Sequence, residues 1–467
     1  MIFPGAFQNR TRLVGGVGLC GLAVLFAALG YWQVFRTDLA SEDHNPRLLS
    51  RFADPSRGRI LDREGNVLAE SLPDGARHYR DASVAHAVGY IDPRYGSQGA
   101  ELAFNAQLTG QASQSWLGAV RAEFLRTRAK GQDVKLTIDP AIQAAAAKAL
   151  GARKGAVIAL DPRTGEVLAM VSVPTYDPGG LAANGEALLK DPDSPLLNRA
   201  TQGLYPPGST FKTVTASAAL TSGVLTPETI VTCPGEIVID GFPIQCTNTA
   251  QGVGTYPFKN AFAFSVNAIF AQLGVQLGWA RLSDMAKKFG FESSLPFTLD
   301  TAKSSLTRPG TERTKVLLAS TAFGQGELLA TPLQMAAITA TIANEGVFMR
   351  PHLGLATVAG NHRSRSLEGP SGTVVLNPDV AKTMRELMTA VIDNNQASGV
   401  AIPGVRVAGK TGTAETAVPG VSHAWFIGFA PAANPVIAVA VIVEGGGRGG
   451  EVAAPIAGAV MRAAVAR

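Results

Sequence analysis

Cysteine is scarce in this chain, with three among 467 residues, and none is arranged as the CxxC pair of a zinc knot or a dithiol redox centre. Histidine is also scarce, at six, and shows no ligand spacing such as HExxH, so neither a metal nor a cofactor is expected. Charged residues make up only 16%, and no basic tract gathers the 41 Lys and Arg that face 36 Asp and Glu. A net charge of +5 spread along the chain, with no accompanying motif, excludes nucleic acid as the expected partner. What is abundant is apolar: 46% of residues are hydrophobic, enough for a large core and too much for a disordered chain.

Only one stretch is apolar for long enough to suggest a bilayer. The residues from Leu13 to Phe35 carry no charge and are bounded by Arg12 and Arg36. At 1.5 Å per residue a helix there can cross a hydrocarbon core of about 30 Å. Arg10 and Arg12 precede it, while Asp38, Glu42 and Asp43 follow, which places the N-terminus in the cytoplasm and the rest outside. No Ala-x-Ala follows closely, so an uncleaved single-pass anchor is expected rather than a signal peptide. Within it, Gly16-Val17-Gly18-Leu19-Cys20-Gly21 has the spacing GxGxxG, but no strand precedes it and no suitably spaced acid follows, so dinucleotide binding is excluded.

The remainder divides by pattern into residues 37–134 and 135–467. The first part is polar and turn-rich, with Asp62–Asn66 as a hairpin turn, and reads as a platform. Val134–Ile138 reads as a strand, Asp139 and Pro140 as the start of a helix over Ala141–Leu150, and 156–160 with 167–173 as a hairpin. A mostly helical middle follows, including a helix opened by Thr331-Pro332-Leu333-Gln334, where Gln334 is placed for a capping box. Strands return at Val405–Gly409, Ala424–Phe429 and Val436–Val443, before a last helix at Glu451–Ala466. Strands early and late around helices predict an α+β fold with one antiparallel sheet built from both ends. If this part is extracytoplasmic, Cys233 and Cys246 can form a disulfide.

Three polar motifs stand out, each occurring once. Ser209-Thr210-Phe211-Lys212 would place a hydroxyl and an amine on one side of a helix. A serine needs a base to become a nucleophile. Lysine serves only when neutral, and lowering its pKa from about 10.4 to near 7 takes about 4 kcal/mol, supplied by burial or a second cation. Ser265-Val266-Asn267 lies in an apolar segment, where polar groups need partners. Lys410-Thr411-Gly412-Thr413 follows an expected strand: its lysine is the second cation, and its glycine allows a substrate backbone close.

SxxK, SxN and KTG in this order are the signature of penicillin-recognising serine enzymes. Together with Arg57–Gly65, Asn198-Arg199-Ala200, Tyr205–Gly208, Phe323–Gly326, Thr331–Gln334 and His423–Pro431, they make the chain resemble the class B penicillin-binding proteins. The resemblance implies a penicillin-binding transpeptidase fold with a helical subdomain, a platform domain and one transmembrane helix. It also implies a D,D-transpeptidase that crosslinks peptidoglycan stem peptides, needs no metal and is inhibited by β-lactams. By that resemblance Ser209 attacks, Lys212 takes its proton, and Ser265 with Lys410 protonates the leaving D-alanine. Asn267 holds the donor peptide and helps position Lys212, Thr411 and Thr413 with Lys410 bind the terminal carboxylate, Gly412 belongs to the same substrate-binding strand, and the N–H groups of Ser209 and Thr413 form an oxyanion hole. A polytopic glycosyltransferase of the shape, elongation, division and sporulation (SEDS) type is the implied membrane partner. A β-lactamase would need a deacylating Glu, and no Glu-x-x-Leu-Asn lies between SxN and KTG. A D,D-carboxypeptidase, differing only in its acceptor, stays open; a β-lactam sensor would need more transmembrane segments or a signalling domain, and the intact motifs argue against a scaffold.

Overall fold

The N-terminal apolar run is helical over Pro4–Gly30 (α1). The structure, a computed structural model, describes residues 4–31, 56–113, 130–246, 252–359, 363–367, 369, 371–397 and 399–466. Among the described residues no helix is long and apolar enough to cross a membrane. Residues 32–35 of the expected span lie outside them.

Asp62 builds the expected turn. Its Oδ1 accepts the backbone N–H groups of Glu64, Gly65 and Asn66 at 2.8–2.9 Å, joining β1 (Ile60–Leu61) to β2 (Val67–Ser71). β3 (Arg77–Tyr79) adds to β2. Beneath this sheet Glu101 is fully buried and accepts both Arg57 and Arg77 at 2.7 Å. Burial alone would raise its pKa, but the two guanidinium groups prevail and hold it below the usual carboxylate value.

β4 (Asp133–Leu136) leads to α2 (Pro140–Leu150), capped by Asp139 Oδ1 on the N–H groups of Ala141 and Ile142. The hairpin of β5 (Gly155–Leu160) and β6 (Val167–Val173) follows, buried on both faces, which is why these strands read as unbroken apolar runs. α3 (Lys212–Thr221), α4 (Asn267–Lys288) and α5 (Pro332–Ala343) form the helical middle, with α5 buried along its whole length. Thr331 caps α5 by accepting Gln334 N–H at 3.1 Å, yet the capping box does not close. The Thr331 N–H is taken by Ser304 Oγ at 3.1 Å, and the Gln334 amide donates instead to the Phe289 carbonyl at the end of α4, at 2.6 Å. Cys233 and Cys246 form the expected disulfide, with Cα atoms 6.1 Å apart.

β7 (Gly354–Val358) and β8 (Ser364–Ser366) return to the first sheet, whose order is β8-β7-β4-β1-β2-β3. The expected boundary at 134/135 therefore falls inside a strand that pairs β1 on one side and β7 on the other.

After α6 (Pro378–Asp393) come β9 (Ala408–Glu415), β10 (Ser422–Ala430) and β11 (Ile437–Val443), then α7 (Gly449–Val465). They complete the antiparallel sheet β9-β10-β11-β5-β6, made from both ends as expected. Helices α2 and α7 cover one face and α5 the other. The strand expected at Val405–Gly409 begins later, because Val405 N–H closes a tight turn onto Ile402 O. Lys410–Thr413 thus lie within β9, the edge strand, and not after a strand.

Candidate active site

The segment before Ser209 is held on several sides. Gly208 has φ +55°, and a Cβ there would lie 2.9 Å from the Thr413 carbonyl oxygen, so a side chain is excluded on both counts. Ser209 is half-buried in a 3₁₀ turn, Gly208–Phe211, and Lys212 opens α3. The pair spans a junction and not one α-helix, but 3₁₀ geometry also stacks residues three apart.

Lys212 is fully buried, with its ammonium 5.2 Å from the centre of the Phe270 ring. Its Nζ donates to Ser265 O at 2.7 Å and Asn267 Oδ1 at 2.6 Å, and lies 3.1 Å from Ser265 Oγ. Two of these partners are acceptors only. They take the two hydrogens of a neutral amine and leave its lone pair toward the Ser265 hydroxyl. Burial, and then the Lys410 cation, hold Lys212 well below the usual lysine value. Lys410 is also fully buried, reaches Ser265 Oγ at 2.9 Å, and is pushed down to about 7 by burial.

Ser265 adopts φ +59°, a left-handed conformation that costs about 1–3 kcal/mol in a non-glycine residue. Its surroundings fix it: Ser265 N–H bonds Phe262 O at 3.1 Å, Val266 N–H bonds Ala261 O at 2.9 Å, and Asn267 N–H bonds Cys246 O at 2.7 Å. The last acceptor belongs to a disulfide cysteine.

Lys212, Ser265, Asn267 and Lys410 therefore converge, with Ser209 on the turn that leads into Lys212. The three residues after Lys410 are placed differently. Gly412 does not open the strand toward a substrate: a Cβ there would meet Pro207 O at 2.9 Å and Trp425 Cβ at 3.0 Å, so its smallness seats β9 against the serine's own turn. Thr411 and Thr413 alternate away from Lys410, and Gly449 N–H of α7 donates to Thr413 Oγ1 at 3.4 Å. Thr413 is exposed, and Thr411 is partly so.

Glu444 went unnoticed in the sequence. It follows β11 and accepts Arg199 Nε and the Tyr205 hydroxyl, both at 2.7 Å. A lone acid between an apolar strand and a glycine run has no spacing to mark it. His423 accepts Gly445 N–H at Nδ1 over 3.1 Å and stands edge-on to Tyr205. Burial lowers its pKa.

Comparison with known proteins matches these motifs to a family. The description "Penicillin binding protein transpeptidase domain" matches residues 155–462, and "Penicillin binding protein A dimerisation domain" matches residues 57–134. The chain is 36% identical to the peptidoglycan D,D-transpeptidase PbpA of Mycolicibacterium smegmatis, over 95% of this chain and 96% of that protein. It is 38% identical to PbpA of Mycobacterium tuberculosis, over 93% and 94%. The structure of M. tuberculosis penicillin-binding protein A as a ceftriaxone acyl-enzyme complex matches with TM-score 0.80 and 35% identity, covering 89% of this chain and 100% of that one.

Proposed function

Because the chain belongs to the class B penicillin-binding proteins, we propose how its residues divide the work of a peptidoglycan D,D-transpeptidase. The enzyme forms an acyl bond through serine, and β-lactams mimic the substrate that does so. Ser209 Oγ attacks the carbonyl of the penultimate D-alanine while Lys212 takes its proton. Ser265 Oγ, shared by both lysines, returns a proton to the departing D-alanine, with Lys410 assisting. Asn267 orients Lys212 and the donor peptide. The N–H groups of Ser209 and Thr413 stabilise the oxyanion, each worth about 3 kcal/mol. The amine of a second stem peptide then displaces Ser209 and forms the crosslink.

The observation that carries this reading is Lys212 itself: a buried amine with two acceptor-only partners and a second cation beside it. The donor peptide adds along the open edge of β9, where backbone groups are unpaired within the sheet and Thr413 is exposed. Lys410, Thr411 and Thr413 receive its carboxylate there, with Gly412 keeping the strand close to Ser209.

The wider arrangement belongs to the same proposal. Residues 1–36 form a cytoplasmic tail and single anchor, 37–134 supply most of a platform whose sheet β4, β7 and β8 complete, and the rest of 135–467 is the reacting domain on the outer side of the membrane. The uncharged run Leu13–Phe35 and the charges around it support the anchor. A SEDS-type glycosyltransferase supplies the glycan chains that this enzyme crosslinks, and crosslinking in membranes followed by co-purification tests that pairing; recovery without such a protein argues against it.

Treating the full chain in detergent with a labelled penicillin and weighing the peptides tests the core of the reading. A stable adduct on the Ser209 peptide, absent in Ser209→Ala, is expected. An adduct retained in Ser209→Ala would overturn the assignment of the nucleophile.

A further inference from the structure

The turn carrying Ser209 is braced by a residue outside the three motifs. Glu444 stands directly after β11, and its own backbone is fixed: its N–H bonds Lys154 O at 2.7 Å, and the next N–H bonds His423 Nδ1. One carboxylate oxygen, Oε1, accepts both Arg199 Nε and the Tyr205 hydroxyl at 2.7 Å. Arg199 has only 2% of its side chain exposed and spends its other donors on the Ser194 and Asp193 carbonyls. Tyr205 is buried and pairs its backbone with Ala330 in both directions.

The chain from Tyr205 to Ser209 has little slack. Pro206 and Pro207 have fixed φ, and Gly208 is pinned by its N–H on Gly324 O at 3.0 Å. Trp425 Nε1 holds Pro206 O at 2.9 Å. With two prolines between them, a displacement of Tyr205 is carried to Ser209 and is not absorbed on the way.

We infer that Glu444 is a positioning residue for acylation: through the Tyr205 hydroxyl and Arg199 it sets the placement of the Tyr205–Gly208 turn, and with it the Ser209 nucleophile. Glu444 touches no reacting atom. Its effect falls on the acylation step and leaves the initial non-covalent capture of the ligand unchanged. The inference rests on Ser209 being the nucleophile.

Tyr205→Phe is the cleanest test, since it removes one hydroxyl and keeps the ring and the Arg199–Glu444 ion pair. With the full chain in detergent and benzylpenicillin as probe, stopped-flow kinetics separate the non-covalent dissociation constant from the acylation rate constant. Titration with labelled penicillin counts active sites. The expected result is an acylation rate constant per titrated site about tenfold lower, with the dissociation constant and Tm close to wild type. Glu444→Gln is expected to lower the same rate constant further, and Glu444→Asp, whose carboxylate is one methylene shorter, not to restore it. A purely structural role would lower Tm and the titrated fraction while each remaining site reacted at the wild-type rate; that outcome, or an unchanged rate in Tyr205→Phe, overturns the inference. Labelling that persists in Ser209→Ala would fail the nucleophile assignment, which is a different result.

Discussion

Lys212 and Lys410 meet at one hydroxyl: Ser265 Oγ lies 3.1 Å from the first ammonium and 2.9 Å from the second, with both lysines excluded from solvent. Two cations that close cannot both keep their ordinary affinity for protons. The arrangement separates a base from an acid using the same residue type.

The first prediction concerns pH. Lys212 acts as base only when neutral, so kcat/KM for acylation rises with pH as Lys212 loses its proton, well below the usual lysine range. Lys410 carries the charge that receives a carboxylate, so kcat/KM falls again above about 7. The profile should be bell-shaped. Lys410→Arg should lower the rate but remove the alkaline limb, because a guanidinium stays protonated across the whole range of such an assay. An alkaline limb unchanged in that variant would assign it elsewhere.

The same burial costs stability. Lys410 binds its proton less well in the folded chain than in the unfolded chain, so its penalty is absent above the unfolded pKa of about 10.4 and grows as pH falls toward about 7. Lys410→Met should abolish acylation yet stabilise the protein at pH 7 by on the order of 2 kcal/mol, after allowing for hydrogen bonds lost at Ser265 and Thr411. Urea unfolding at pH 7 and pH 10 checks this; the gain should shrink at the higher pH.

Gly324 has φ +94°, and a Cβ there would lie 1.7 Å from the Gly208 carbonyl oxygen. Gly324→Ala must therefore push the serine's turn out of place. Acylation should fall by at least about a hundredfold, the usual cost of displacing a reacting group by about 1 Å. Near-wild-type acylation would mean that the turn is not held as described.

Much of this site was legible because its chemistry comes in short, spaced motifs. SxxK, SxN and KTG name Ser209, Lys212, Ser265, Asn267 and Lys410 before any fold is known, and the disulfide is an expectation conditional on this part being extracytoplasmic. The apolar strands β5 and β11 declared themselves as unbroken runs. What stayed hidden depends on distant pairings: Glu444 meets Tyr205 across 239 positions, and Gln334 turns to Phe289 because Ser304 already occupies the capping N–H. Gly412 was read as making room for a substrate, whereas Pro207 and Trp425 fill that room, which only packing reveals.

Glu101 offers a test remote from the chemistry. It neutralises Arg57 and Arg77 at once. Glu101→Gln should cost about 3–5 kcal/mol, since it removes the carboxylate charge that two largely buried guanidinium groups share. The contribution of Glu101 is fully present above the unfolded carboxylate pKa and is lost as pH falls through its lowered folded value. Chemical denaturation at pH 7 measures the loss; a change under about 1 kcal/mol would contradict the triad's role.

The disulfide closes a loop of 13 positions beside Asn267. Replacing both Cys233 and Cys246 by Ser should lower stability by about 3 kcal/mol on the chain-entropy account. A reductant should reproduce that shift in the wild type and have no effect on the double variant, as followed by Tm.

β4 lies between β1 and β7, so the first sheet is stitched from segments more than two hundred residues apart. A shortened protein for inhibitor screening that starts at residue 135 would keep every reacting group but strip β1–β3 away and cut β4 in half. It would expose the flank of β7 as an adhesive edge, prone to pairing with other molecules. Fragments meant to stay monomeric in an assay should begin ahead of Arg57, so that the sheet remains whole.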